Sequence, residues 1–182
     1  MAAAMHDASS DFRDFVKCSL VSVSVLVGDG LSPAHDLGFM PRRVLRRYLT
    51  PDRLQSLLPH PQDWKTVSHG YLAVFSILIS IQEDAYIPYF LQFNNLDDEH
   101  LPFQHVEDWP PNCKKFFKQF YDAQWPFCPQ PLKRERLNDT RFLPEAILPI
   151  TNCQALKEDV ISSTYVVEIH PEYNLLLDVS GS

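Results

Sequence analysis

The order of apolar and polar positions predicts short helices in the first two thirds of the chain. Residues 41–48 and 51–58 each repeat apolar side chains at helical spacing. Thr50 and Pro51 mark the start of the second helix, because a hydroxyl can cap free backbone amides and proline fits the first turn of a helix. Pro59 ends this helix, since proline cannot continue the hydrogen-bond pattern.

Three further helical segments follow. The most apolar run, residues 71–81 (YLAVFSILISI), predicts a helix buried in a core, and its 11 residues are too few to cross a bilayer. Asp84 caps a further predicted helix that runs through Phe93. Residues 113–125 are amphipathic, with an aromatic stripe along one face. The members of this stripe are Phe116, Phe117, Phe120, Tyr121 and Trp125.

The two ends of the chain carry different patterns. Residues 1–10 are small and polar, which predicts fraying. Between residues 11 and 27, Ser22 and Ser24 alternate with valines as in a strand, whereas the preceding apolar residues fit a helical face. We interpret this segment as a helix, followed by a loop over residues 28–33.

Near the C-terminus, residues 164–169 (TYVVEI) are β-branched and partly alternating, so they predict a strand. The run around Ala155 and Leu156 is its candidate hairpin partner. An isolated hairpin is only marginally stable, so we expect it to pack on the helices or to remain mobile.

These patterns together predict a mainly α fold with short helices, a Pro-rich linker and a small C-terminal antiparallel β-hairpin. The predicted regions are a partly disordered N-terminal segment (1–37), a helical region (38–125), the Pro-rich linker (126–149) and the hairpin (150–182).

Composition narrows the range of functions. The net charge of −7 argues against a fold-wide surface for nucleic acid or for anionic membranes, since such surfaces are usually basic. The four cysteines lie far apart and form no Cys-x-x-Cys pair. This pattern is typical of reduced thiols in an intracellular protein, cytoplasmic or nuclear.

Histidine and cysteine residues occur in the chain, but not at the spacing that a metal site or a catalytic site needs. His100, His105, Cys113 and Cys128 match no compact zinc pattern, so we expect no metal. The Gly-x-Ser-x-Gly, His-Glu-x-x-His and Walker motifs do not occur in the sequence. We therefore predict no catalytic residue and no cofactor.

Two candidate surfaces for protein contacts remain. One is an arginine cluster on a predicted helix, formed by Arg42, Arg43, Arg46 and Arg47. It could bind a phosphate or an acidic partner, although such residues more commonly form a solvated helix face. The other is the aromatic stripe, whose more common role is to fill a core. Its possible contact residues are Phe116, Phe117 and Phe120.

Three segments, taken in order, resemble the N-terminal helical region of a large group of fungal protein-kinase-like proteins. The first joins Phe39-Met40-Pro41 to LRRYLTPDRLQSLL, and the second is residues 71–103. The third runs from Phe117 through FYDAQWPFCPQP (120–131) to AILPI (146–150), and it is similar to the linker that precedes the kinase lobe of that family.

A fourth segment, residues 156–174, resembles the first two strands of the family's kinase domain, I-G-x-G-G-F-S-x-V-Y-K-V-E-I-H-P. In this alignment Lys157, Asp159 and Val160 occupy the glycine positions, and Ser162 falls on a matching position. Thr164 takes the place of the valine that would lie under an adenine ring.

These replacements imply a degenerate nucleotide loop. Glycines let a kinase loop approach the phosphates closely, whereas Glu158 and Asp159 would place negative charge there and Val160 resists a tight turn. The strand-3 lysine, the helix-C glutamate, the His-Arg-Asp loop and the Asp-Phe-Gly site would all lie beyond Ser182. The resemblance therefore implies a catalytically inactive fragment or paralogue without a cofactor.

By the same resemblance, the helical region would serve regulation or protein–protein contacts. Its partner would be another protein or the missing kinase domain, with no nucleic acid, membrane or metal involved. The alternative is a free-standing helical interaction module that is unrelated to kinase activity.

Overall fold

The computed structural model describes residues 2–27, 30–134, 142–158 and 163–176. They divide into two compact units. The helical unit comprises residues 2–20 and 40–128, and the β unit comprises residues 21–39 and 129–176.

The helical unit contains seven α-helices among the described residues. They are α1 (Ala2–Ser19), α2 (Arg42–Tyr48), α3 (Pro51–Leu57), α4 (Trp64–Gly70), α5 (Leu72–Ser80), α6 (Ile87–Phe90) and α7 (Phe117–Ala123). Short 3₁₀ turns join them at Pro61–Asp63, Asp84–Tyr86, Val106–Asp108, Pro111–Phe116 and Trp125–Phe127. The predicted mainly α fold is confirmed for this part of the chain.

Helix α5 is the centre of the core, as its sequence predicts. All residues from Leu72 to Ile79 are buried, including Ser76, whose hydroxyl donates to the Leu72 carbonyl at 2.6 Å. The leucines of α3 also face this core. Within the described residues, none of the helices is both long and apolar enough to cross a membrane.

The N-terminus of α5 is capped by a residue distant in sequence. The Asp98 carboxylate accepts hydrogen bonds from the Ala73 and Val74 amides, each at 3.0 Å. The Asp98 amide donates to the Gly70 carbonyl at 2.8 Å. An acid at this position satisfies free amides and favours the helix dipole.

An aromatic cluster fills the other side of the helical core. Phe120 stacks on Phe90 and Phe103, and the ring of Trp109 meets all three edge-on. The buried Gln124 amide bonds both backbone groups of Phe103, at 2.8 and 3.1 Å. The cluster therefore fixes residues 103–109 against α7, while the buried indole Nε1 of Trp109 has no hydrogen-bond partner among the described residues.

Among the described residues, the β unit contains three two-stranded sheets. Strands β1 (Val21–Val27) and β2 (Gly30–Phe39) pair antiparallel, as do β4 (Ile150–Glu158) and β5 (Ser163–Ile169). Strands β3 (Leu132–Lys133) and β6 (Asn174–Leu175) pair parallel. The predicted C-terminal hairpin is thus confirmed in its two strands.

The interpretation of residues 11–27 as one helix is wrong in its second half. Helix α1 ends at Ser19, and the alternating valines from Val21 onward form β1. Residues 30–33, predicted as a loop, belong to β2. A β-branched, alternating run pairs well once a partner strand lies beside it, and this tertiary context overrides the ambiguous local signal.

The 126–149 linker also divides differently from the prediction. Residues up to Cys128 belong to the helical unit, and those from Pro129 onward belong to the β unit. The Gln130 amide donates to the Ile147 carbonyl at 3.0 Å, which ties the two ends of this segment together. The proline-rich composition limits regular structure here but does not prevent ordered packing.

The hairpin of β4 and β5 has a neighbour that the sequence did not predict. Strand β1 contacts β4, and the Ser24 hydroxyl donates to the Thr151 carbonyl at 3.5 Å. Phe39, at the end of β2, meets His170 and Tyr173 edge-on, with ring centroids 5.3 and 5.4 Å apart. Residues 21–39 therefore belong to the same unit as the C-terminal hairpin.

Candidate functional site

The arginine cluster lies on α2, where it is partly matched by acidic residues. Arg42 and Arg46 line a small depression of about 180 Å³ together with Asp97 and Asp98. Burial raises the pKa of Asp98, whereas hydrogen bonds from backbone amides and the charge of Arg42 oppose this rise. Part of the cluster thus balances charge within the helical unit.

The outer part of the same cluster is accessible. Arg43, Arg46 and Arg47 are exposed on α2. Arg43 and Arg47 are four residues apart and therefore share one helix face. This face is cationic and could therefore bind an anionic group of a partner.

The aromatic stripe lies mainly in the core. Phe116 and Phe120 are buried, and Phe117 is half-buried with its ring 5.0 Å from that of Trp109. Side chains packed in this way do not present a contact surface. The buried rings fill the core, which is the more common role of an aromatic stripe on a helix.

The positions aligned with a kinase glycine loop fall around the turn of the C-terminal hairpin. Lys157 lies in β4 opposite Thr164 of β5, and the Thr164 side chain is exposed. Asp159, Val160 and Ser162 lie outside the described residues.

An apolar groove occurs inside the β unit. Its volume is about 610 Å³, within the range of about 300–1,000 Å³ that is usual for ligand and peptide pockets. The groove is lined by β1, β2, β4, β5 and the segment 144–148. The side chains that form its walls include Val23, Leu37, Ile147, Ile150, Tyr165 and Val167.

Strand alternation explains which residues of the hairpin face the groove. Tyr165 and Val167 are two residues apart on β5 and share one face, and Cys153 is paired with Val167 across the hairpin. Among the described lining residues, Glu145 is the one ionisable carboxylate. The groove therefore favours apolar groups over anions.

Strand β5 also leaves apolar side chains exposed to solvent, including Val167 of the groove wall. Val166 is 55% exposed and Val167 is 42% exposed, so neither face of this strand is fully covered. On β4, Leu156 is 70% exposed. Leu156 and Val166 thus lie exposed on the two adjacent strands of one hairpin.

Neither of the two buried cysteines, Cys113 and Cys128, is an activated nucleophile. Burial raises the pKa of Cys113 to about 11 and that of Cys128 to about 12, which keeps both thiols protonated near neutral pH. Cys18 is exposed, and Cys153 is partly exposed in the groove wall. In the described part of the chain, no three His, Cys, Asp or Glu side chains gather as metal ligands.

The groove is the feature that sequence reasoning missed. The alternation of Ser22 and Ser24 with valines was its one local signal, because it marks a strand with a single apolar face. Strand β1 pairs with the adjacent β2, but β4, which lines the groove together with it, lies more than a hundred residues away, as the bond between Ser24 and Thr151 shows.

No family model, no curated protein and no solved structure matches this chain.

Proposed function

We propose that this chain is a catalytically inactive, kinase-related binding protein whose β unit carries the contact surface for a protein partner. The observation that carries the proposal is the apolar groove of the β unit, together with the exposed Leu156 and Val166 on the adjoining hairpin. Its setting is intracellular, in the cytoplasm or nucleus.

The distribution of apolar surface supports a binding role in the β unit. The aromatic stripe of the helical unit is occupied by core packing, so its large rings are already used for stability. The β hairpin leaves valine and leucine side chains in water, where each costs free energy that burial by a partner would recover. A partner with an extended apolar segment fits this surface.

The kinase relationship rests on the resemblance of residues 156–174 to the first kinase strands. An antiparallel hairpin over β4 and β5 is the form that such strands take. The acidic Glu158 and Asp159 in the loop segment support the inactive assignment, because they repel phosphate.

The inactive assignment is tested by thermal unfolding with and without ATP and magnesium. We expect no concentration-dependent rise in the melting temperature, because the aligned loop lacks its glycines. A saturable rise would contradict this part of the proposal, since a ligand that binds the folded state stabilises it.

The contact surface is tested by quantitative affinity capture from cell extract. Leu156→Lys should reduce recovery of specific partners, because it places a charge on the exposed apolar hairpin. The matched control is Tyr89→Lys, which changes an exposed aromatic residue of the helical unit. Equal recovery with Leu156→Lys and the wild-type chain would place the contact elsewhere.

A second candidate function uses the arginine face of α2 as a contact for an acidic partner, in a helical interaction module unrelated to kinases. The exposure of Arg43 and Arg47 on one face favours it. Charge reversal at both residues would abolish capture of such a partner, and it would leave a partner of the β unit bound.

A further inference from the structure

We propose that two copies of this chain pair through the outer edges of their β5 strands, in antiparallel register about a two-fold axis at Val166. The inference rests on the proposed function, since it names a second copy as a partner of the β unit. The pairing would join two hairpins into a continuous four-stranded sheet.

The outer edge of β5 is open within the described part of the chain. Strand β5 pairs with β4 on one side, and among the described residues no other strand pairs with it. An open edge presents a row of backbone amides and carbonyls that can accept another strand.

This edge also lacks the usual protection against pairing. Natural edge strands are often blocked by proline, by lysine or by inward charges. The sequence of β5, STYVVEI, contains neither proline nor lysine, and its one charged residue is Glu168. Its central side chain, Val166, is more than half exposed.

Symmetry restricts the register. A two-fold axis perpendicular to the sheet keeps the two faces of each strand aligned, so it must pass through a residue position rather than between two residues. Val166 is the middle residue of Ser163–Ile169, so an axis there pairs the whole strand with its copy. Neighbouring axes leave strand ends unpaired.

The same register produces favourable cross-strand pairs. Val166 lies opposite its own copy, and Tyr165 lies opposite Val167, which gives an aromatic and β-branched pair on each side of the axis. Glu168 lies opposite Thr164, so no like charges face each other. An axis at Glu168 would instead oppose two carboxylates.

A homodimer of this kind would respond to salt in a defined direction. Each copy carries a net charge of −7, so long-range repulsion opposes association. Added salt screens this repulsion, because the Debye length falls from about 10 Å at 0.1 M to about 3 Å at 1 M. Self-association should therefore strengthen with ionic strength, in contrast to a contact based on opposite charges.

The test is sedimentation velocity of the purified full chain over a hundredfold range of concentration. We expect a concentration-dependent dimer in the wild-type chain. Val166→Lys should weaken it by at least roughly tenfold, because the substitution opposes two ammonium groups and removes a valine pair. Tyr89→Lys is the matched control, since it adds the same group to an exposed position outside the β unit, and it should leave the dimer intact.

The register is tested by mixing Val166→Lys with Val166→Glu. Each variant alone should be monomeric, and the mixture should form a heterodimer because opposite charges then face each other on the axis. Circular dichroism confirms that the variants remain folded. A wild-type chain that stays monomeric at every concentration and salt level overturns the inference, as does a dimer indifferent to both substitutions.

These outcomes are separable from those of the proposed function. Self-association is measured on the purified chain, and partner capture is measured in extract. A monomeric chain that captures a partner through Leu156 would refute the self-pairing alone. A β5 dimer that captures nothing would refute the binding role toward other proteins.

Discussion

The helical unit and the β unit use their apolar residues in opposite ways. In the helical unit Phe120 is fully buried among other rings, whereas in the β unit Val166 stands mostly in solvent. Helices satisfy most of their backbone hydrogen bonds internally, so their apolar side chains can all pack into one closed core. Strands need a neighbour for each edge, and the outer edge of β5 has none among the described residues.

This difference separates a unit that is stabilised by a closed core from a unit that leaves apolar side chains exposed. A closed core resists change and offers little to a partner, while an open strand with exposed valines gains from being covered. The arginine face of α2 is the exception in the helical unit, because its charges remain at the surface.

The largest expected effect is in the helical core. Phe120→Ala should lower the free energy of unfolding by about 3–5 kcal/mol, because it leaves a cavity between Phe90, Phe103 and Trp109. Urea denaturation followed by circular dichroism measures this loss. Val166→Ala is the control from the β unit, and its effect should stay within about 0.5 kcal/mol. Equal losses would remove the contrast between the two units.

Thiol reactivity provides the second comparison. Cys18 and Cys153 should react with an aromatic disulfide reagent in the native chain, while Cys113 and Cys128 should not. The raised pKa values, to about 11 and about 12, lower the thiolate fraction of the buried pair by factors on the order of 100 or more near neutral pH. Mass spectrometry of labelled peptides identifies the sites, and denaturant should make all four react alike.

The cap on α5 has a smaller expected effect. Asp98→Ala should cost about 1–2 kcal/mol, since it removes the acceptor of the Ala73 and Val74 amides. Chemical denaturation at neutral pH measures the change. Asp52→Ala, at an exposed acid in the first turn of α3, is the control and should cost less.

The same carboxylate gives a pH dependence. Burial raises the folded-state pKa of Asp98 above its usual value, so the folded chain holds this proton over a pH range in which the unfolded chain has released it. The part of the stability that depends on this bound proton is complete below the usual pKa and is lost as pH rises through the folded value. The hydrogen bonds that the ionised carboxylate accepts from the Ala73 and Val74 amides remain at neutral pH. As pH rises through that range, the unfolding free energy of the wild-type chain should therefore fall relative to that of the Asp98→Asn chain.

The smallest effect is expected on the hairpin. Leu156→Lys should change stability by less than about 0.5 kcal/mol, because Leu156 is 70% exposed and forms no part of the core. Thermal unfolding at low protein concentration checks this. A large loss would mean that Leu156 is structural, and the capture experiment would then need Val166→Lys in its place.

The fold of the helical unit was partly predictable. Helices α2, α3 and α5 lie where the sequence predicts helices, whereas the predicted helix from Asp84 to Phe93 is a 3₁₀ turn followed by the short α6. The leucines of α3 and the apolar run of α5 predict buried helices. The prolines at residues 51 and 59 mark the two ends of the α3 segment. The strand pattern of TYVVEI predicted β5 correctly. In these segments a local pattern and the tertiary packing favour the same structure.

The candidate site was less predictable because its parts are distant in sequence. Val23 and Leu37 form one side of the groove, and Ile150 and Val167 form the other. The capping of α5 by Asp98 has the same character, since a carboxylate 24 or 25 residues away supplies it. Local spacing carries no information about such pairings.

The sequence by itself determined the helices of the core, the C-terminal strand and the negative charge of the chain. These depend on local periodicity, on proline and on composition. Only the tertiary structure decided that residues 21–39 join the C-terminal hairpin, that the stripe at Phe116 and Phe120 is buried and that the outer edge of β5 is open within the described residues. The physical reason is that strand partners and the choice between core and surface are set by contacts between distant segments, which no local pattern encodes.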